Sequence, residues 1–152
     1  MNLQNIGVIG AGTMGNGIAQ VCALAGFNVT LVDISEGALQ KALATVGKNL
    51  DRQVAKETLS AEQKNAALDK IRTSTDYSNL RDAQLVIEAA TENLELKLRL
   101  LQQVAAQVGA ECVIASNTSS LSITQLAASV SQPERFIGLH FFNPVPVMGL
   151  IE

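Results

Sequence analysis

The sequence predicts an α/β chain: a doubly wound, mostly parallel sheet with an inserted helical hairpin. Short apolar runs rich in Val and Ile, at 6–9, 29–32, 85–87, 112–115 and 136–139, alternate with longer segments whose apolar residues recur every three or four positions. That is the strand–helix rhythm of such sheets. The connections are short and carry the Gly, Ser, Asn and Pro residues that end strands and start helices. Between about 36 and 72 two helical patterns follow one another with no strand between them, so a helical hairpin is expected to project from the sheet.

The first strand empties into Gly10-Ala11-Gly12-Thr13-Met14-Gly15. A helix-periodic segment follows, and the second strand ends on Asp33. Strand, glycine turn, helix, strand and acid in this order form the pattern of a dinucleotide-binding βαβ unit. Gly10 permits the tight turn, Gly12 lets the backbone approach a pyrophosphate, and Gly15 lets the helix pack close to the strand. The free N–H groups and positive dipole end of the helix face the phosphates. Asp33 suits both hydroxyls of an adenosine ribose and repels a 2′-phosphate. With no Lys or Arg between it and Lys41, NAD is expected rather than NADP.

Leu39, Leu43, Val46, Leu50 and Val54 mark a long amphipathic helix from an N-cap at Ser35 to about Lys56. Ser60 is expected to cap a second helix, with Ala61, Ala67, Leu68 and Ile71 on one side. Seven of the eleven basic residues lie between 41 and 72, and Lys41, Lys48, Arg52 and Lys56 fall along one stripe of the first helix. Spacing alone reads as a solvated face. The functional alternative is a site for a polyanionic handle on a substrate.

After the hairpin, strand 85–87 runs into Glu88 and Glu92, and Leu96, Leu100, Val104 and Val108 mark a helix with Gly109 as its C-cap. Strand 112–115 empties into Ser116, Asn117, Thr118, Ser119 and Ser120, and Ser122 caps a short helix. Strand 136–139 delivers His140 and Asn143, and 147–152 reads as a final strand. Ligands of doubly wound sheets sit beyond the carboxyl ends of the strands. The glycine loop, Asp33, Glu88 with Glu92, Asn117 with Ser119, and His140 with Asn143 all follow strands, so all five clusters are expected at one edge.

His140 is the only histidine, and an imidazole suits removal of a proton from an alcohol near neutral pH. Glu152 can return beside it across a turn and hold one ring nitrogen, as an acid does in a hydrolase triad, or stand as a solvent-exposed carboxylate. Ser119 and Asn117 are what a turn and N-cap want, and Ser119 can also offer a hydroxyl to a substrate oxygen. By position, Glu92 is an acid near a helix start and Lys97 a solvated lysine on its first turns.

A net charge of −3 argues against a general nucleic-acid binder. No run of 18 uninterrupted apolar residues occurs, so no membrane helix is expected. Cys22 and Cys112 lack metal-ligand spacing, so no metal is expected; they read as reduced thiols near a core, which suggests the cytoplasm.

Four motifs carry a resemblance: GVIGAGTMGNGIAQ at 7–20, VIEAATEN at 86–93, ASNTSSLSIT at 115–124 and GLHFFNPVPVMGLIE at 138–152. Together they resemble the Rossmann-type NAD-binding domain of the 3-hydroxyacyl-CoA dehydrogenase family, especially bacterial 3-hydroxybutyryl-CoA dehydrogenases, over essentially residues 1–152. The resemblance implies NAD as cofactor, a 3-hydroxyacyl-CoA as substrate and a homodimer in the full-length enzyme. It implies His140 as general base, Glu152 as its orienting partner and Ser119 as the hydroxyl that binds the reacting oxygen. Gly10, Ala11, Gly12, Thr13, Met14, Gly15, Asp33, Glu92, Lys97, Asn117, Ser119 and Asn143 match cofactor-site positions, with Lys97 and Ser119 near the substrate as well. Arg52 and Lys56 match positions that hold coenzyme A, which favours a functional reading of the basic stripe. Gly149 stands where relatives often carry a larger residue. The family continues into an all-helical C-terminal domain that lies outside this sequence. The alternative expectation is therefore an NAD-binding module without turnover.

Overall fold

The computed structural model of the chain describes residues 2–152. Six strands form one sheet in the order β3-β2-β1-β4-β5-β6: β1 (Asn5–Ile9), β2 (Asn28–Val32), β3 (Ile71–Ser74), β4 (Leu85–Glu88), β5 (Val113–Ser116) and β6 (Phe136–Gly138). All neighbouring pairs are parallel. The chain winds outward from β1 in one direction to β3, then returns to the other side of β1 at β4. That reversal opens a crevice at the carboxyl ends of β1 and β4, the place where such sheets bind ligands.

The helices are α1 (Thr13–Leu24), α2 (Glu36–Ala55), α3 (Ala61–Asp69), α4 (Leu94–Gln107) and α5 (Ile123–Ala127). Strand residues alternate between two cores, as the period of two requires. Val8, Leu31, Ile87 and Ala115 pack with α1 and α2, whereas Ile9, Val32, Val86 and Ile114 pack with α4 and α5. Both faces are therefore covered, and the strands are apolar nearly throughout. Their carboxyl ends are the exception: β4 closes on Glu88 and β5 on Ser116, and both side chains are fully buried.

Local sequence accounts for the element ends. Ser35, Ser60, Asn93 and Ser122 each accept a backbone N–H at the start of α2, α3, α4 and α5, and Ser60 with Gln63 completes a capping box. The helical pair differs from expectation at its end. It ends at Asp69, and Ile71 opens β3, pairing with Val29 of β2. Four residues containing an arginine and two hydroxyls carry too little periodicity to separate a strand from a helix end. The base of the pair packs on α1: Leu39, Ala42, Val46 and Leu50 are buried there, and Ala67 of α3 joins them, while no residue from 51 to 66 is buried. An ion pair between Asp51 and Lys64 links α2 to α3.

The last residues also correct the reading. Instead of a final strand there is one antiparallel bridge, Phe141 to Ile151. α4 ends through Val108 in extended geometry, so Gly109 does not act as a left-handed cap. Among the described residues no helix is long and apolar enough to cross a membrane.

Gly15 fixes how closely α1 approaches β1. A Cβ there would lie 1.6 Å from the Gly10 carbonyl oxygen, a backbone atom that cannot yield without moving the loop. Gly15→Ala should therefore destabilise the fold by about 3 kcal/mol, at the upper end of overpacking costs. Urea unfolding that leaves the midpoint unchanged would show that the loop accommodates the methyl.

Candidate active site

The glycine loop leaves β1 through Gly10, whose φ of +102° is left-handed. A Cβ at Gly10 would meet the Ala89 carbonyl oxygen at 2.6 Å, so space as well as conformation requires glycine here. At Gly12 the same construction meets nothing within 4 Å, which leaves the backbone open to a ligand. Gly12 is also the N-cap of α1, with no side-chain bond to it and no acid in the first turn. An open backbone, an uncapped helix start and no acid in the first turn fit a pyrophosphate.

Asp33 ends the strand next to the loop. Its Oδ2 accepts from Ala11 N at 2.9 Å and its Oδ1 from Ser35 N at 2.9 Å, so the carboxylate ties the loop to the start of α2. One cleft runs from Gly10 and Asp33 to the exposed side chains of Ile34 and Leu96, with Tyr77 and Arg99 in its wall. A second runs from Gly12 and Asp33 past Lys41 to Asn143. Lys41 and Arg99 line the clefts that Asp33 borders. Lys41 comes from the second turn of α2 and Arg99 from α4.

At the ends of β4 and β5 lies a buried ionic cluster. Lys97 Nζ stands 2.9 Å from Glu88 Oε1, with the side chains 1% and 0% exposed. Ser116 Oγ donates to Glu88 Oε1 at 2.7 Å, and Ala90 N donates to Glu88 Oε2 at 2.8 Å. Lys97 is therefore no solvated lysine; the reading by position is corrected. Glu92 stands on the open side of the cluster, 3.9 Å from Lys97 Nζ. It accepts from Thr118 Oγ1 at 2.8 Å and from Ser120 Oγ at 2.6 Å. Burial pushes its pKa up, but the bonds from Ser120 and Thr118, with the charges of Lys97 and His140, outweigh burial and hold the carboxyl below its ordinary value. Met14, Glu92, Lys97 and Asn117 line one hollow beside the loop.

His140 follows β6. Asn117 Oδ1 accepts from Phe141 N at 2.8 Å, fixing the segment that carries the histidine. Val145 is buried against α1, where a Cβ at Gly17 would come within 2.9 Å of its own Cβ. His140 N donates to Glu152 O at 2.7 Å and Glu152 N to His140 O at 2.9 Å. Such a reciprocal antiparallel pair holds its Cβ atoms about 5 Å apart on one face. The expected bond from Glu152 to a ring nitrogen is not among those formed by the described residues. The His140 ring packs at a tilt on Phe142, with centroids 4.5 Å apart. Ser119 is exposed next to Thr118, and Asn143 faces the glycine loop across the second cleft.

The basic stripe divides. Lys41 belongs to the cleft at the glycine loop, whereas Arg52 and Lys56 stand at a separate cavity bounded by Pro144, Pro146 and Val147.

Residues 5–152 match the model of the family described as 3-hydroxyacyl-CoA dehydrogenase, NAD binding domain. The chain belongs to this family. A 3-hydroxybutyryl-CoA dehydrogenase of Bradyrhizobium diazoefficiens is 49% identical over 99% of this chain and 51% of its own length. A 3-hydroxyadipyl-CoA dehydrogenase of Escherichia coli is 46% identical over 100% of this chain and 32% of its own. The crystal structure of the (S)-3-hydroxybutyryl-CoA dehydrogenase from Ralstonia eutropha superposes with a TM-score of 0.97 at 55% identity, over 99% of this chain and 53% of that one. The chain thus spans about half the length of the first relative and a third of the second.

Within the family motifs, sequence reasoning passed over several residues. Thr118 and Ser120 hold Glu92, Ser116 completes the Glu88–Lys97 pair, and Gly17 seats Val145. Gly17 did leave a signal: a glycine inside a helical pattern costs stability and implies a packing reason.

Breaking the buried pair gives a direct test. Lys97→Met strands a buried carboxylate and should cost about 3–5 kcal/mol, and adding Glu88→Gln should recover most of it. Urea unfolding of both variants checks this. A double variant no more stable than Lys97→Met would mean that the lysine acts through packing rather than charge.

Proposed function

We propose that residues 1–152 form one cofactor-binding domain of an NAD-dependent 3-hydroxyacyl-CoA dehydrogenase, of the 3-hydroxybutyryl-CoA type. The observation that carries this is the reciprocal pairing of His140 with Glu152, at the carboxyl edge shared with the glycine loop. When bound, NAD supplies the acceptor for the hydride that leaves C3 of the substrate. His140 takes the proton of the 3-hydroxyl, leaving a 3-oxoacyl-CoA. Glu152, on the same face of the pair, orients the ring and stabilises the imidazolium. Ser119 offers its hydroxyl to the reacting oxygen, so that the base and the donor meet one atom.

The cofactor is held by the backbone of Gly10, Ala11, Gly12, Thr13, Met14 and Gly15, with Asp33 at the adenosine ribose and Asn117, Asn143, Glu92 and Lys97 around the nicotinamide end. Arg52 and Lys56 hold coenzyme A phosphates, which the cavity beside them supports. A homodimer of the full-length protein belongs to the same reading. So does the cytoplasm, where the buried free thiols of Cys22 and Cys112, each raised to about 11 by burial, remain unreactive.

A second reading, a binding module with little turnover of its own, is favoured by one observation. Val147, Leu150 and Ile151, the neighbours of Glu152, are exposed, so the reacting pair lies open to water.

Two outcomes are expected. The 152-residue chain should bind NADH at least tenfold more tightly than NADPH while reducing acetoacetyl-CoA poorly; a fluorescence titration that favours NADPH would overturn the role of Asp33. In the intact protein His140→Gln should lower kcat by about 10²–10⁴, as loss of a general base does. Near-normal turnover would remove His140 from the chemistry.

A further inference from the structure

The loop after β5 carries three hydroxyl residues in a row, Thr118, Ser119 and Ser120, and their surroundings differ. Thr118 Oγ1 donates to Glu92 Oε2 at 2.8 Å, and Ser120 Oγ donates to the same oxygen at 2.6 Å. Ser119, between them, is exposed, and its hydroxyl is not among the donors to Glu92. A hydroxyl has one proton to give. The two flanking protons are committed to the carboxylate, and only that of Ser119 is left for a ligand.

Turn closure and capping do not account for these bonds. Thr118 Oγ1 already closes the turn, accepting from Ser120 N at 3.3 Å and from Leu121 N at 3.1 Å. Ser122 caps α5 by accepting from Gln125 N at 3.2 Å. A connection from β5 to α5 therefore needs no carboxylate, yet Glu92 reaches it from the loop after β4. The Glu92 side chain is 57% exposed, so burial does not force the contact. Hydrogen bonds to a charged acceptor are among the stronger ones. Two of them, on the residues either side of Ser119, hold its backbone from both directions. In the same loop Asn117 Oδ1 accepts from Phe141 N at 2.8 Å, next to His140. One short loop is thus tied to an acid on one side and to the histidine segment on the other, with its free hydroxyl at Ser119.

We infer that Thr118 and Ser120 are positioning residues: anchored on Glu92, they hold Ser119 where its hydroxyl and the His140 imidazole meet the reacting oxygen together. The inference rests on the roles proposed above for Ser119 and His140. The two flanking hydroxyls make no contact with the substrate and act only through Ser119. Displacing such a donor by about 1 Å costs on the order of 10²-fold in rate, which is what the two anchors prevent.

The test follows reduction of acetoacetyl-CoA by NADH in the intact protein, with Thr118→Val, Ser120→Ala and Ser119→Ala made singly, and each of the first two combined with the third. Thr118→Val keeps the shape and removes the hydroxyl. It should lower kcat about 10- to 100-fold and Ser120→Ala about 3- to 10-fold, whereas Thr118→Ser should stay within about threefold of wild type. The double variants decide. Residues that act through Ser119 lose their effect once its hydroxyl is gone, so in the Ser119→Ala background either change should move kcat by less than about twofold. Ser120 is exposed, so its variant is informative even if Thr118→Val folds poorly. Effects that add in the double variants, or a Kd for NADH that rises while kcat at saturating NADH holds, would overturn the inference and leave the two hydroxyls as supports of Glu92 alone. Full turnover by Ser119→Ala would instead sink the proposed role of Ser119, and this inference with it.

Discussion

A carboxylate at the end of a central strand, wholly out of water, is stable only because a lysine is buried with it. Glu88 and Lys97 impose that condition on the whole carboxyl edge of the sheet. The pair joins β4 to α4, Ser116 brings in β5, and Ala90 N brings in the loop that packs over Gly10. Each of these contacts removes a lone pair or a proton that would otherwise be stranded. A buried pair of this kind adds little net stability over an apolar substitute, but it tolerates few alternative arrangements. Its value here is positional: Glu92 stands at the open side of the cluster, held by Thr118 and Ser120.

The same economy governs the other polar groups at this edge. Asp33 is expected at a ribose, yet both of its oxygens already accept backbone N–H groups, one from the glycine loop and one from the start of α2. Asn117 is expected at the cofactor, yet its side chain holds the backbone of Phe141. Carboxylate and amide oxygens have two lone-pair directions each, so one can fix a loop while another faces a ligand. The site is therefore held in shape by the groups that would contact the ligand, and loss of any one of them acts on both affinity and geometry.

Much of this was legible in the sequence, and the failures share a cause. The glycine loop was readable because it needs special backbone and close approach, which only glycine supplies. The five polar clusters were readable because parallel strands force their carboxyl ends to one side. β3 was not, since a four-residue edge strand containing Arg72 has neither alternation nor an apolar run. Lys97 was misread because burial of a lysine depends on Glu88, nine residues earlier and on a different element. Arg99, in the wall of a cleft that Asp33 borders, left no signal for a related reason: proximity across helices has no linear spacing. Local conformation is written locally, whereas the partners of a buried charge are decided by packing.

The two halves of the site also differ in construction. The cofactor half rests on strand ends and a helix start, all within the two cores. The proposed substrate half is assembled from an irregular segment, 139–152, tied to the rest of the chain by Leu139 N on Ser116 O, Phe141 N on Asn117 Oδ1 and Val145 against Gly17, and closed on itself by the backbone pair of His140 and Glu152. A binding energy spread over a long substrate is what such a half needs, because distant contacts can fix a reacting end that its own anchors leave free. On the proposed reading, Arg52 and Lys56 lie at the far end of that span and His140 with Ser119 at the near end. On this account, recognition of the phosphates places the hydroxyl at His140 through the length of the bound substrate rather than through the segment's own anchors.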